Sequence, residues 1–398
     1  MQFDVAIVGA GPAGLAFARA LSGCGLRIAL VEKAGERDLA APGFDGREIA
    51  LTGRSARLLR EMGAWQRIPA AEIAPLREAR VLNGASGFAL RFAPEGRQGD
   101  GLGHLVPNHR IRQALFEAVA GLPDITLLAG TAVAAVETGP EAAQVRLADG
   151  RDLRAHLVVA ADTRFSETRR RQGIGASMRD FGKAMLVCRM AHEVPHEGIA
   201  TEWFGHGQTI AMLPLNGDLS SAVVTLPTRE TDRLLALAPE AFGAEIARRY
   251  GHRLGAMQLV GTRHAYPLVA VYAHRFVARR FALVGDAAVG MHPVTAHGFN
   301  FGLSGADTLA REIRAALARG QDPADPAALQ RYERRHRRAT WPLFTATNAI
   351  AGLYTDERLP ARLLRHAALR LGAALPPVRR LVTARLMEAG PPSLRLAG

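Results

Sequence analysis

The amino-acid sequence predicts an α/β fold: a nucleotide-binding domain built on parallel strands, an antiparallel β-sheet inserted into it, and a helical segment at the C-terminal end. Three observations lead there. An apolar strand at the start of the chain runs into a glycine-rich turn and a helix. Two later apolar runs, 157–161 and 281–285, each end at an aspartate, Asp162 and Asp286. Between them lie long stretches in which apolar and polar residues alternate, the period of half-buried strands.

The first element reads Asp4-Val5-Ala6-Ile7-Val8-Gly9-Ala10-Gly11-Pro12-Ala13-Gly14. Gly9 permits a tight turn, Gly11 lets backbone approach a pyrophosphate, and Gly14 allows close packing of helix on strand. Pro12 and Ala13 open the helix, whose N-terminus aims free N–H groups at the anion. Eighteen residues after Gly14 comes Glu32, at the end of a second strand, Ile28-Ala29-Leu30-Val31, and Lys33 follows it. A carboxylate there accepts both ribose hydroxyls, which makes the unit a Rossmann-type cradle.

The chain then passes through Arg47-Glu48-Ile49-Ala50-Leu51 into a helix over 55–62. Short alternating runs over 77–103 read as antiparallel strands, and a helix carrying Ile111, Leu115, Phe116 and Val119 resumes the first pattern. Two strands joined by a turn follow over 132–137 and 143–147. Asp162 closes the next apolar run at its C-terminal end, where ligands bind in such sheets. Alternation over 178–266, with a turn at Asn216-Gly217, predicts a larger antiparallel sheet. A strand ending at Gly285-Asp286, a helix from near Gly302, and a break at 322–326 complete the pattern. The expected division is a discontinuous nucleotide domain over 1–75, 104–175 and 268–345, a sheet domain over 76–103 and 176–267, and a helical basic tail over 346–398.

Composition narrows the function classes. Cys24 and Cys188 stand far apart, so neither a disulfide framework nor a thiolate metal site is expected, and a reducing cytoplasm is. No secretion signal precedes the first strand, and no apolar run reaches the roughly 20 residues of a membrane span. Fifty basic against thirty-seven acidic residues leave a charge of +13, which favours an anionic partner. Neither aromatic stacking groups nor a reading module for nucleic acid accompanies it.

The third strand end continues Ala287-Ala288-Val289-Gly290-Met291-His292-Pro293-Val294-Thr295-Ala296-His297-Gly298-Phe299-Asn300-Phe301-Gly302. With the N-terminal cradle and Asp162, it resembles the three fingerprints of the FAD-dependent aromatic hydroxylases. Arg47-Glu48-Ile49-Ala50-Leu51, Val106-Pro107-Asn108-His109-Arg110-Ile111, and His292-Pro293 with Phe299-Asn300-Phe301-Gly302 are most similar to the ubiquinone-biosynthesis hydroxylases. Thr295-Ala296-His297-Gly298 resembles the 5-demethoxyubiquinol hydroxylase subgroup. The resemblance implies FAD as cofactor, with Arg47 at its phosphates or ribityl chain, Asn108 or Arg110 along that chain, and Val133 near the adenine. Gly285, Asp286, Pro293, Gly298, Phe299 and Asn300 complete the cofactor set, Asp286 accepting from a ribityl hydroxyl. The chain departs from the pattern at Thr163, where glycine usually follows the aspartate, and at Ala296-His297-Gly298, which usually reads Gly-Gln-Gly.

The implied reaction is insertion of one oxygen atom from dioxygen into the ring of a lipophilic quinol precursor through a flavin C4a-hydroperoxide, with NAD(P)H or a protein as electron donor. His292 and His297 are the candidate catalytic residues, as bases for a phenolic proton. By the same resemblance, Trp203, Met212 and Pro214 wall the substrate pocket. Arginines among leucines and alanines over 358–386 predict attachment to an anionic membrane surface, at its cytoplasmic face, or to a ubiquinone-biosynthesis complex. Two rival readings are a related flavoprotein acting on another aromatic or isoprenoid substrate and a non-catalytic FAD-binding assembly factor.

Overall fold

A computed structural model describes residues 1–84, 88–93, 101–205, 207–292 and 297–355. The chain opens with β1 (Gln2–Val8), α1 (Pro12–Leu21), β2 (Ile28–Glu32), α2 (Glu36–Ala40), β3 (Glu48–Leu51) and α3 (Gly53–Glu61). Four strands, β4 (Ala74–Leu76), β5 (Glu78–Asn83), β6 (Ala89–Phe92) and β7 (Gly103–Pro107), lead into α4 (Asn108–Val119). Then come β8 (Ile125–Ala129), β9 (Val133–Thr138), β10 (Ala143–Leu147), β11 (Asp152–Ala160) and α5 (Glu167–Arg171). The middle of the chain holds β12 (Ala176–His192), β13 (Ile199–Phe204), β14 (Thr209–Pro214), β15 (Leu219–Pro227), α6 (Thr228–Leu235), α7 (Pro239–Arg249) and β16 (Met257–Ala273). The last elements are β17 (Val277–Ala278), β18 (Phe281–Leu283), β19 (Val289–Gly290), α8 (Gly298–Leu317) and α9 (Pro326–Thr355).

The first sheet runs β17-β18-β11-β1-β2-β8, with β10 and β9 joined to one end of β11. From β18 to β8 its strands are parallel, which explains why Val5, Ala6, Ile7, Leu157, Val158 and Val159 are all fully buried: helices close both faces. Val8 pairs with both Ala160 and Val31, and Ala160 with Leu283, so the C-terminal ends of β1, β2, β11 and β18 finish level. That single edge receives Gly9, Glu32, Asp162 and Gly285.

A second sheet, β19-β16-β12-β15-β14-β13-β5-β6, is antiparallel except where β13 and β5 run parallel. The short sheet β3-β7-β4 stands beside it, and Ala50, Ala74 and Leu105 pack with Leu213, Leu215 and Leu219. Helices α6 and α7 cover the outer face of the large sheet and bury Phe242, Ile246 and Leu234 against it. The alternation in this stretch predicts sheet alone. The two helices interrupt it because Pro239 and Glu240 suit a first helical turn, while Phe242 and Ile246 recur at helical spacing.

Two boundaries also move. Helix α8 starts at Gly298 rather than near Gly302, since Phe301 N–H already donates to the His297 carbonyl. Helix α9 runs unbroken past residue 345 with Pro342 inside it. Pro293 and the tail residues 356–398 lie outside the described residues. Among the described residues, no helix is long and apolar enough to cross a membrane.

Candidate active site

Three separate stretches of chain meet at the level edge of the parallel sheet. A β-carbon placed on Gly9, which has φ +105°, would lie 2.7 Å from the Ala161 carbonyl oxygen, and one on Gly14 would lie 1.9 Å from the oxygen of Gly9. Both positions therefore demand glycine. Gly11 is different: an added β-carbon would meet nothing within 4 Å, so this residue borders open space at the head of α1. Gly285, at φ +63°, comes so near α1 that its β-carbon would sit 2.7 Å from that of Ala13, and Gly302 packs behind it. A cradle of this shape, small on every side and facing a helix N-terminus, fits a dinucleotide pyrophosphate.

Polar groups ring the cradle. Glu32 accepts from Ala10 N–H at 2.7 Å through Oε2 and from Ala34 N–H at 3.0 Å through Oε1, which aims its carboxylate along the strand ends while leaving lone pairs for ribose hydroxyls. Lys33 beside it is exposed, and Val133 lies at the start of β9 with its carbonyl accepting from Arg171. Asp162 accepts from Thr168 N–H at 3.4 Å through Oδ2; its Oδ1 is buried with no hydrogen-bond partner among the described residues. Such an orphaned acceptor fits a site shaped for a bound hydroxyl or amine. Asp286 is fixed by Arg164, whose Nη2 donates to Oδ2 at 2.9 Å, and Arg169 reaches from the same segment to the Ala287 carbonyl at 2.9 Å. Residues after Asp162 thus clamp those around Asp286, a role for Arg164 and Arg169 that their motif positions do not announce.

Arg47 points elsewhere than at a phosphate in this structure. Its guanidinium pairs with Asp45 at 2.6 Å and lies 5.3 Å from the Tyr266 ring centroid. Asn108, buried at the start of α4, donates to the same Asp45 at 2.7 Å, and Tyr266 Oη donates to the Asp45 carbonyl at 2.7 Å. Burial would raise the Asp45 carboxyl, but the Arg47 charge and the hydrogen bonds from Arg47 and Asn108 outweigh it and hold the group below its ordinary value. Asp45 is the hub that sequence reasoning missed; its spacing of two from Arg47, allowing a local side-chain bond, was the available signal. Arg110 pairs with Glu72 at 3.2 Å.

At the head of α8, Asn300 is buried and staples the helix to β3. It donates from Nδ2 to the Ala50 carbonyl at 2.9 Å and accepts at Oδ1 from Thr52 N–H at 3.2 Å. Gly298 and Phe299 stand partly exposed in the same turn, where unpaired N–H groups favour negative charge. His297 is buried immediately before the helix, 5.8 Å from the Phe301 ring. His292 is also buried, edge-on to Phe181 at 4.7 Å. Burial, then the charges of Lys183 and Arg179, push the His292 imidazole down to about 4. It is a neutral hydrogen-bonding group at physiological pH and a weak base.

The pocket-wall expectation is corrected. Met212 is buried in the cluster beneath α6 and α7, Trp203 meets Tyr250 edge-on at 6.0 Å on that side, and Pro214 shares the parity of Met212 along β14. Strand alternation puts all three on the helix-covered face, away from the cradle.

A family model described as an FAD binding domain matches residues 2–347. The chain is 46% identical over 390 residues to the ubiquinone hydroxylase UbiM of Neisseria meningitidis, covering 97% of this chain and 85% of that protein. It is 36% identical to the ubiquinone hydroxylase UbiL of Rhodospirillum rubrum, over 99% of this chain and 92% of that protein. Among solved structures, Pseudomonas aeruginosa PqsL in complex with 2-aminobenzoylacetate superposes with a TM-score of 0.74 at 25% identity, covering 89% of this chain and 97% of that one.

Proposed function

The chain belongs to the FAD-binding family of flavin-dependent monooxygenases, and from that premise we propose that it hydroxylates the aromatic ring of a polyprenylated ubiquinone precursor. The observation that supports this most is the meeting of Gly9, Gly14, Asp162 and Gly285 at one sheet edge, beside a second sheet across whose inner face Val187, Val223, Ala211 and Val81 follow in register.

FAD, when bound and reduced, supplies the oxygen chemistry with dioxygen, drawing electrons from NAD(P)H or a protein donor. The protein's share is binding and orientation. Gly11 and the N–H groups heading α1 receive the pyrophosphate, Glu32 the ribose, and Asp286, held by Arg164, a ribityl hydroxyl. Val133 lines the adenine end. Asn108 and Arg47 hold the Asp45 loop at the edge of the sheet, where Arg47 can swing from Asp45 to a phosphate. The head of α8 supports negative charge at the ring end of the cofactor. His297 holds the phenolic proton of the substrate, and neutral His292 fills and dries the wall behind it. The basic tail brings the enzyme to an anionic membrane surface, where such a substrate resides.

Profiling quinone intermediates in cells lacking this protein tests the reading, because the accumulating precursor names the missing hydroxylation. Purified yellow protein that oxidises NAD(P)H in response to that precursor and forms hydroxylated product supports it. An unchanged quinone profile would sink it.

A further inference from the structure

The two faces of the large sheet are unlike. Under α6 and α7, Leu186, Cys188 and Ile210 are fully buried. The opposite face meets the loop around Gly46, where a β-carbon would touch His264 at 2.8 Å and Val187 at 2.9 Å. Cross-strand register carries one row of side chains across that face, from His264 and Val187 through Val223 and Ala211 to Glu202, then through Val81 to Leu90. Glu202 is the only acid in the row. Its neighbour Trp203 donates to the Gly84 carbonyl and meets Tyr250 edge-on on the helix side, which fixes Glu202 on the other.

Glu202 has neither an ion-pair nor a hydrogen-bond partner among the described residues. On β5 and β6, Glu78, Arg80 and Arg91 have the opposite parity and pair with one another. Arg189 and Tyr266 stand at the His264 end of the face, engaged with Glu48 and Asp45. Burial alone acts on the Glu202 carboxyl and pushes it up to about 8, while the residue keeps partial exposure. An unpaired carboxyl in an apolar row costs stability, and a sheet retains one where a ligand completes it.

Resting on the substrate reading above, we infer that Glu202 is a substrate-contacting residue, which fixes a ring oxygen of a lipophilic phenol laid on this apolar row. Below its titration the acid offers one O–H donor and a carbonyl acceptor, a match for a phenolic or methoxy oxygen. Above it, an apolar ring must displace the water of a carboxylate, so binding weakens as pH rises.

The test compares the holoenzyme with its Glu202→Gln and Glu202→Leu variants, using a farnesylated methoxyphenol as probe. Binding is read by flavin absorbance, and KM and kcat from about pH 6 to about pH 9.5. The wild-type KM rises about tenfold per pH unit above about pH 8, the glutamine variant keeps a low KM without that limb, and the leucine variant raises KM about tenfold or more while kcat changes less. The leucine variant also melts no lower than wild type, since no partner is lost. An unchanged KM in the leucine variant, a pH limb that persists in the glutamine variant, or a lower melting temperature for the leucine variant overturns the assignment. Failure of the wild type to bind and hydroxylate any prenylated phenol overturns the substrate reading and this inference together.

Discussion

Gly285 and Ala13 touch across the head of α1: a β-carbon on Gly285 would lie 2.7 Å from that of Ala13, and the Gly285 backbone is left-handed at φ +63°. Two penalties fall on Gly285→Ala, the roughly 1–2 kcal/mol of a left-handed backbone and the displacement of α1 from the third fingerprint. Gly320 separates them, for its φ is +71° but nothing lies within 4 Å of its β-carbon position. Gly285→Ala is expected to purify with little FAD, and Gly320→Ala, which carries the backbone penalty alone, with a normal flavin-to-protein absorbance ratio and a smaller loss of melting temperature. Equal FAD content in the two would show that the contact with Ala13 does not shape the cofactor site.

Asn300 offers a second handle, since it ties α8 to β3 through Ala50 and Thr52. Truncation to alanine removes both bonds inside a buried site and costs about 1–3 kcal/mol. On the proposed function, the cost is a looser wall at the ring end of the cofactor. Asn300→Ala should therefore consume NAD(P)H without forming the matching amount of product, the surplus appearing as peroxide. Coupling equal to wild type would separate this residue from the chemistry.

Much of this was written in the sequence because it depends on local sterics. Gly14 is forced by its contact with the Gly9 oxygen inside the first turn, Gly9 by that turn's φ of +105°, and the acids at 32, 162 and 286 follow from where parallel strands end. What stayed hidden depends on contacts distant along the chain or on parity. Arg47 reads as a phosphate ligand, and it is Asn108 and Tyr266, distant along the chain, that the fold gathers with it around Asp45. Trp203 and Met212 looked like pocket walls because aromatic and apolar residues do line pockets. Helices α6 and α7, unseen in the alternation, claim that face instead and leave Glu202 on the inner one.

Glu48 makes stability fall with rising pH over a defined window. Its side chain is fully buried; Oε1 accepts from Arg189 at 2.8 Å, and Oε2 is buried without a hydrogen-bond partner among the described residues. Burial raises the carboxyl to about 7, the Arg189 charge and hydrogen bond oppose this, and Glu72 and Asp45 add to it. Between its ordinary 4.5 and about 7 the folded state binds more protons than the unfolded one, so this group's contribution declines as pH rises through that range and is level above it. Glu202, raised to about 8, adds a decline of the same sign, so Glu48→Gln should remove only the Glu48 share, read as the difference between the two proteins in melting temperature against pH. A pH dependence identical in the two proteins would assign the effect to other groups.

His292 carries the opposite sign, and it separates the two candidate histidines. Its imidazole is held near 4 against an ordinary 6.5, so between those values the unfolded chain binds more protons and stability is gained as pH rises. His336, stacked on Tyr332 and likewise pushed down to about 4 by burial and the Arg54 charge, adds a parallel contribution, so His292→Gln removes only part of the acid sensitivity. A group already neutral at pH 5 cannot set a catalytic pH limb near neutrality. His292→Gln should therefore leave the pH dependence of kcat unchanged between about pH 6 and about pH 8, whatever it does to flavin environment. His297→Gln, at the head of α8, should lower kcat about a hundredfold or more with flavin reduction intact, the range typical of a lost proton-transfer group. Rapid-mixing measurements that follow flavin reduction, reoxidation and product separately decide it: a loss confined to His292→Gln would move the proton-handling role away from His297, and normal coupling in both variants would remove both.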